Sequence, residues 1–166
     1  MIKNKELVTF AGNAVTLVGT QVKVGDVAPD FNVLRGDLTP AKLSDFKGKK
    51  VVIAVYPSID TGVCQAQNRR FNEAASKLED AVVLSISCDL PFAQGRFCAT
   101  EGLDNIVTLS DHRDVDFGTK YGFLVDELRL LARGTVVVNE EGVVSFVEYV
   151  SEITDEPNYE AALAAL

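Results

Sequence analysis

The stretch Val51-Val52-Ile53-Ala54-Val55-Tyr56-Pro57-Ser58-Ile59-Asp60-Thr61-Gly62-Val63-Cys64 decides the fold. Val51 to Tyr56 is a continuous, largely β-branched apolar run. Continuity rather than alternation marks a strand covered on both faces, as in a parallel or mixed central sheet. Pro57 ends the run because it cannot donate to a sheet ladder. After a short loop, Cys64 to Leu78 reads as a helix. Ala66, Phe71, Ala74, Ala75 and Leu78 fall roughly on one face of it, with Gln67, Arg70 and Lys77 lying away.

Downstream, Ala81 to Ser87 is a second buried-type strand. Asp89-Leu90-Pro91-Phe92-Ala93-Gln94 opens a helix with Pro91 in its first turn, which runs to about Glu101 and stops at Gly102. Ile106 to Leu109 is a short strand, and Asp114 to Tyr121 a short helix ending at Gly122. Gly134 to Val138, Asn139 to Gly142 and Val143 to Val150 read as strand, turn, strand. Pro157 to Leu166 is a final helix with Tyr159, Ala162, Leu163 and Leu166 as its apolar side. Upstream, Leu7 to Phe10 and Ala14 to Val18 flank Gly12-Asn13, a dipeptide that predicts a β-hairpin. Phe31 to Leu34 is another short strand, and Leu43 to Gly48 a turn. Strands alternating with helices predict an α/β fold with crossover helices, and the closing hairpin makes its sheet mixed. The order resembles a thioredoxin-like fold: a mixed central sheet with flanking helices and an N-terminal β-hairpin extension. Residues 1–166 read as a single domain without repeats or linkers.

Composition narrows the function. Hydrophobic residues at 47% and charged residues at 24% supply a core and exclude a disordered chain. No apolar run is long enough to cross a bilayer. Lys and Arg total 16 against 24 Asp and Glu, and the net charge of −8 makes nucleic acid and anionic membrane poor partners. No apolar signal core follows Lys3 and Lys5, so a cytoplasmic location is expected. In that reducing compartment the three cysteines, Cys64, Cys88 and Cys98, are fillers, metal ligands or reactive groups. They lack the short Cys and His spacing of a zinc site. No CxxC pair occurs, which argues against a dithiol reductase. His112, the only histidine, sits in the polar stretch Ser110-Asp111-His112-Arg113-Asp114, where a solvated loop is the simpler reading than a Cys-His hydrolase.

Cys64 is the cysteine with a chemical context. With Thr61 as N-cap, Cys64 falls at the third helical position, where a capping box would carry Glu or Gln. A sulfur there faces free backbone N–H groups and the positive end of the helix dipole, and both favour a thiolate. The Thr61 hydroxyl is in a position to touch the sulfur or its substrate. A buried apolar filler is the competing reading. Cys88 ends the second buried strand, where filler is the better reading.

Pro57-x-x-x-Thr61-x-x-Cys64 resembles the active-site pattern of peroxiredoxins. Ala28-Pro29-Asp30-Phe31 is similar to their entry segment, and Ala132-Arg133-Gly134-Thr135-Val136-Val137-Val138 to the stretch that carries their active-site arginine. Ser58 to Gln65, Leu90-Pro91-Phe92-Ala93-Gln94 and Arg96-Phe97-Cys98 resemble the bacterial thiol peroxidase subfamily in particular. The resemblance continues to Glu156-Pro157-Asn158-Tyr159-Glu160-Ala161-Ala162-Leu163 and so covers nearly the whole chain.

That resemblance implies an atypical two-cysteine peroxidase without metal or organic cofactor, acting on hydrogen peroxide and alkyl hydroperoxides. Cys64 would be the peroxidatic cysteine, passing through a sulfenic acid. Thr61 would orient the peroxide, Arg133 would sit beside the sulfur, and Pro57 would shield the site from water. Cys98 would resolve the sulfenic acid to a Cys64–Cys98 disulfide, with thioredoxin as electron donor and a homodimer as the assembly. Apolar residues such as Val63 and Phe97 would suit alkyl hydroperoxides. A disulfide needs its Cα atoms within about 7 Å. With one cysteine at a helix start and the other inside a helix, local unwinding is expected during turnover. A non-enzymatic redox sensor switched by the same disulfide is the alternative, and a binding module with inert cysteines a third reading.

Overall fold

The computed structural model describes residues 1–166, in the order β1 (Lys3–Phe10), β2 (Asn13–Val18), β3 (Asn32–Leu34), β4 (Pro40–Lys42), a 3-10 turn (Leu43–Phe46), β5 (Lys50–Val55), α1 (Gly62–Ala75), β6 (Ala81–Ser87), α2 (Pro91–Glu101), β7 (Ile106–Ser110), α3 (Asp116–Tyr121), β8 (Leu124–Val125), β9 (Leu130–Leu131), β10 (Gly134–Val138), β11 (Val144–Tyr149) and α4 (Tyr159–Ala164). One sheet has seven strands in the order β11-β10-β5-β6-β7-β3-β4. β5, β6 and β7 are parallel, while β10 runs antiparallel to β5 and β11 antiparallel to β10. This is the mixed sheet that the alternation of strands and helices predicts.

The apolar run of β5 feeds two cores. Val51, Ile53 and Val55 enter the larger one, where Phe117 and Tyr121 of α3 and Val8, Val15 and Leu17 of the N-terminal hairpin meet them. Val52 and Ala54 enter a second core on the opposite face, covered by Phe71 of α1, Phe97 of α2 and Ala162 of α4. A strand flanked on both sides in this way has no polar face to show, which is why its sequence does not alternate. Fully burying each such side chain stabilises the fold by roughly 1.5–3 kcal/mol before chain entropy is counted.

The N-terminal hairpin joins two short strands in a second sheet, ordered β1-β2-β8-β9. Its turn residues are Ala11 and Gly12, with φ of 51° and 82°, one position upstream of the expected Gly12-Asn13. Positive φ at both positions gives the twist that a two-residue hairpin needs, and Asn13 then starts β2. The strands β4, β8 and β9 were not expected. Two or three residues carry no readable periodicity, and long-range pairing alone makes them strands.

The hairpin is fastened to the segment after β11. The Thr9 N–H donates to the Ser151 carbonyl and the Ile153 N–H to the Thr9 carbonyl, both at 2.8 Å. The Glu152 carboxylate accepts from the amides of Thr154, Gly12 and Ala11 and from the hydroxyls of Thr9 and Thr154. These donors, the Thr154 and Gly12 amides first, hold the Glu152 carboxyl down at about 2, from an ordinary 4.5. A depressed carboxyl adds stability above its unfolded value and loses it as pH falls towards the folded one. The difference in unfolding midpoint between the wild type and Glu152→Gln should therefore be constant above about pH 5 and shrink between pH 5 and 2. Urea titrations across that range check this; a difference independent of pH would remove Glu152 from the hairpin clasp.

Candidate active site

β10 pairs antiparallel with β5 so that Gly134 lies opposite Val55. The residue before β10, Arg133, is thereby brought level with Tyr56, where the chain leaves the sheet for α1. Alternation along β10 sends Val136 and Val138 into the larger core and Val137 to the opposite face, the one that α1 covers. Arg133 shares the parity of Val137, so its side chain points at the first turns of α1. Gly134 must be glycine for this register: a Cβ there would lie 2.1 Å from the Glu148 carbonyl oxygen and 2.6 Å from the Phe123 ring.

The result is a buried cation against a buried sulfur. Arg133 is 2% exposed and Cys64 0%. The Arg133 guanidinium directs Nη2 to Cys64 Sγ at 3.2 Å, Nη1 to Gln67 Oε1 at 2.6 Å and Nε to the Ile153 carbonyl at 2.7 Å. Gln67 in turn donates through Nε2 to the Val55 carbonyl at 3.2 Å. One fork therefore joins the end of β5, the start of α1 and the segment that Glu152 fastens to the hairpin.

α1 begins as the sequence predicts, with Thr61 as N-cap and Cys64 at the third helical position. The Thr61 hydroxyl does not cap the helix, however, and makes no hydrogen bond to the sulfur. It donates to the Ser58 carbonyl at 3.0 Å, which folds the loop over Ser58 to Thr61 into a tight turn. Neither a carbonyl nor a side chain accepts from the N–H groups of Val63 and Cys64, so these donors stay free at the helix start. Pro57 is buried beside Tyr56, and Cys64 packs in a small group with Tyr56 and Ile59, against Ala93 and Phe97 of α2.

The buried stripe of α1 differs from the one expected. It consists of Cys64, Gln67, Asn68 and Phe71, an i, i+3, i+4, i+7 set, while Ala66, Ala74, Ala75 and Leu78 are only partly buried. Polarity assigned Gln67 to the solvent side, yet it is fully buried because both ends of its amide are used. Asn68 likewise donates to the Cys64 carbonyl at 2.8 Å and accepts from the Ser85 hydroxyl, which also bonds the Tyr56 hydroxyl at 3.0 Å. The spacing from Cys64 to Phe71 is the signal that could have identified Gln67 and Asn68.

The other two cysteines lie elsewhere. Cys98 packs against the core beneath α2, with Phe71, Val83 and Ile106, and burial pushes its thiol up. Cys88 packs against the larger core, and burial there pushes its thiol up to about 12. All three are free thiols, with Cys64 and Cys98 in different packed groups. His112 is partly buried after β7, and its carbonyl accepts from Arg129 at 3.0 Å. Neither Cys64 nor Arg133 hydrogen-bonds to it.

A family model described as Redoxin matches residues 23–163. The chain is 57% identical over 159 residues to a thiol peroxidase of Oceanobacillus iheyensis, covering 96% of this chain and 97% of that one. It is 58% identical over 158 residues to the thiol peroxidase of Bacillus subtilis, covering 95% of each. Among solved structures, a peroxiredoxin-like protein from Aquifex aeolicus superposes with a TM-score of 0.90 at 39% identity, covering 99% of this chain and 98% of that one. A thiol peroxidase from Chromobacterium violaceum has the same fold, with a TM-score of 0.86 at 21% identity over 95% of this chain and 93% of that one. No helix is long and apolar enough to cross a membrane.

Gln67→Ala would leave an N–H of the buried Arg133 guanidinium without its acceptor and remove one bond to the Val55 carbonyl. Leaving such groups unpaired costs about 1–3 kcal/mol, and urea denaturation should show a loss of that order. A loss below about 0.5 kcal/mol, the level of an inconsequential surface change, would mean that these two bonds do not hold the site together.

Proposed function

The chain belongs to the redoxin family, in its thiol peroxidase branch, and is a peroxidase; from that premise we propose that Cys64 is its peroxidatic cysteine and Cys98 its resolving cysteine. The observation that carries this reading is the contact of Arg133 Nη2 with Cys64 Sγ at 3.2 Å, at the open start of α1. A guanidinium at that distance favours the thiolate, and the free amides of Val63 and Cys64 add the positive end of the helix.

The thiolate attacks the nearer peroxide oxygen in line with the O–O bond. The S–O bond forms, the O–O bond breaks, and the leaving oxygen departs as water or alcohol after taking one proton. The Arg133 guanidinium and the helix-start amides stabilise the charge that passes from sulfur to the leaving oxygen. The Thr61 hydroxyl, whose proton is directed to Ser58, turns a lone pair to the peroxide and fixes its orientation. Pro57 keeps water from the sulfur, and Val63 and Phe97 offer an apolar margin to an alkyl group. Cys98 then attacks the Cys64 sulfenic acid, forming the disulfide and releasing water. Thioredoxin, a dithiol donor, takes the oxidising equivalents and restores both thiols.

Separate packing of the two cysteines supports unwinding at α1, α2 or both before the disulfide forms. Phe97, next to Cys98 in the chain, packs in both groups and must move for the sulfurs to meet. The exposed Leu90 and Phe92 at the start of α2 offer an apolar surface for a second copy of the chain. A reducing cytoplasm suits the three free thiols.

Two variants test the assignment. One equivalent of hydroperoxide should convert the reduced wild type to a Cys64–Cys98 disulfide with Cys88 free. Cys98→Ser should instead accumulate a Cys64 sulfenic acid that a 1,3-diketone reagent traps; mass analysis of non-reduced peptides distinguishes the two. Turnover of Cys98→Ser at the wild-type rate with thioredoxin would refute the resolving role. Arg133→Lys keeps the charge but loses the three-way fork, and the rate constant for peroxide should fall by about 10²–10³, as when one oxyanion donor is removed.

A further inference from the structure

We propose that Asp89 is the latch on the Cys64 loop, a positioning residue that sets how often the loop opens and so decides between resolution and over-oxidation of the Cys64 sulfenic acid. The proposal rests on the roles assigned above to Cys64 and Cys98.

The segment from Pro57 to Thr61 must release for Cys64 to leave its group. Its polar ties to the rest of the protein converge on one carboxylate. Ser58 Oγ donates to Asp89 Oδ1 at 3.1 Å, and the Ile59 N–H donates to Asp89 Oδ2 at 2.7 Å. The remaining tie, Asp60 to Arg96 at 3.9 Å, joins two side chains that are 70% and 73% exposed and adds little. Hydrogen bonds to an ionised carboxylate are about twice as strong as neutral ones.

Asp89 is itself held from behind. The Ser87 hydroxyl donates to Oδ2 at 2.6 Å, and the Ser110 hydroxyl donates to the Asp89 carbonyl. Gln94 of α2, 1% exposed, donates to Ser87 Oγ at 3.0 Å and to the Leu109 carbonyl at 2.9 Å. Asp89 therefore stands on the ends of β6 and β7, its carboxylate on Ser87 and its carbonyl on Ser110, with Gln94 of the helix that carries Cys98 behind Ser87. It touches neither cysteine and acts only by holding the loop between them.

Two reactions compete for the sulfenic acid. In one, the Cys98 thiol displaces hydroxide from sulfur, the S–S bond forms and water leaves. In the other, a second hydroperoxide transfers an oxygen, giving a Cys64 sulfinic acid and water or alcohol. The second reaction needs the closed site that served the first peroxide, and resolution needs the open loop. Loosening the latch favours the disulfide at the expense of the sulfinate.

The full-length protein is cycled with dithiothreitol and graded hydrogen peroxide, and the Cys64 sulfinate is quantified by peptide mass analysis. Asp89→Asn keeps the shape and removes the charge; Ser58→Ala removes one bond and leaves Asp89 in place. The peroxide concentration that over-oxidises half of the protein should rise about tenfold for Asp89→Asn, as expected for weakened bonds to a charged group, and by a smaller factor for Ser58→Ala. The sulfinate-to-disulfide ratio is internal to each reacting molecule, so a loss of folded protein does not move it. A half-point at or below the wild-type value in both variants overturns the latch. Absence of the Cys64–Cys98 disulfide from the wild type overturns the reading beneath it instead.

Discussion

The antiparallel pairing of Gly134 with Val55 is the constraint on which the site depends. A parallel neighbour of β5 would send its approach from the opposite edge of the sheet. The antiparallel strand alone delivers the residue before its first ladder pair to the point where β5 gives way to α1. Two elements more than sixty residues apart thus meet at their ends, and the meeting needs no flexible loop to hold Arg133 in place. The missing side chain of Gly134 lets the backbone close on Glu148 and Phe123, which locks the register that aims the arginine.

A buried guanidinium is costly unless its charge is met. Arg133 has no carboxylate partner: its three acceptors are a backbone carbonyl, an amide oxygen and the Cys64 sulfur. Of these only the sulfur can carry a negative charge. The cation therefore faces the one acceptor able to offset its charge, and the neutral acceptors from Gln67 and Ile153 fix the direction of the fork. On the peroxidatic role proposed for Cys64, the cost of burying Arg133 becomes the means of activating the sulfur. The N-terminal hairpin takes part at one remove, because Glu152 pins the segment whose carbonyl holds Arg133 Nε.

The architecture was legible where the chain uses period and punctuation. The unbroken run before Pro57, the Pro91 start and Gly102 stop of α2, and Thr61 three residues before Cys64 all state their positions locally. What could not be read depends on partners distant in the chain. β8 and β9 are two residues each and are strands only because β2 and each other are there to pair with. Gln67 looks like a solvent residue until Val55 and Arg133 supply both halves of its amide partners. Asp89 reads only as the residue that opens a helical segment, and its bonds to Ser58 and Ile59 join segments thirty residues apart.

The three thiols show how one atom type acquires different behaviour from its surroundings. Cys88 lies against the larger core, and burial there pushes its thiol up to about 12. Cys64 has a cation and free amides. Cys98 is the intermediate case: its packing beneath α2 pushes its thiol up. On the resolving role proposed for it, the unwinding that brings Cys98 to Cys64 would also return it to water and remove the burial that pushes its thiol up. On that proposal proximity and reactivity arrive in one movement, and the closed state leaves the peroxide to Cys64.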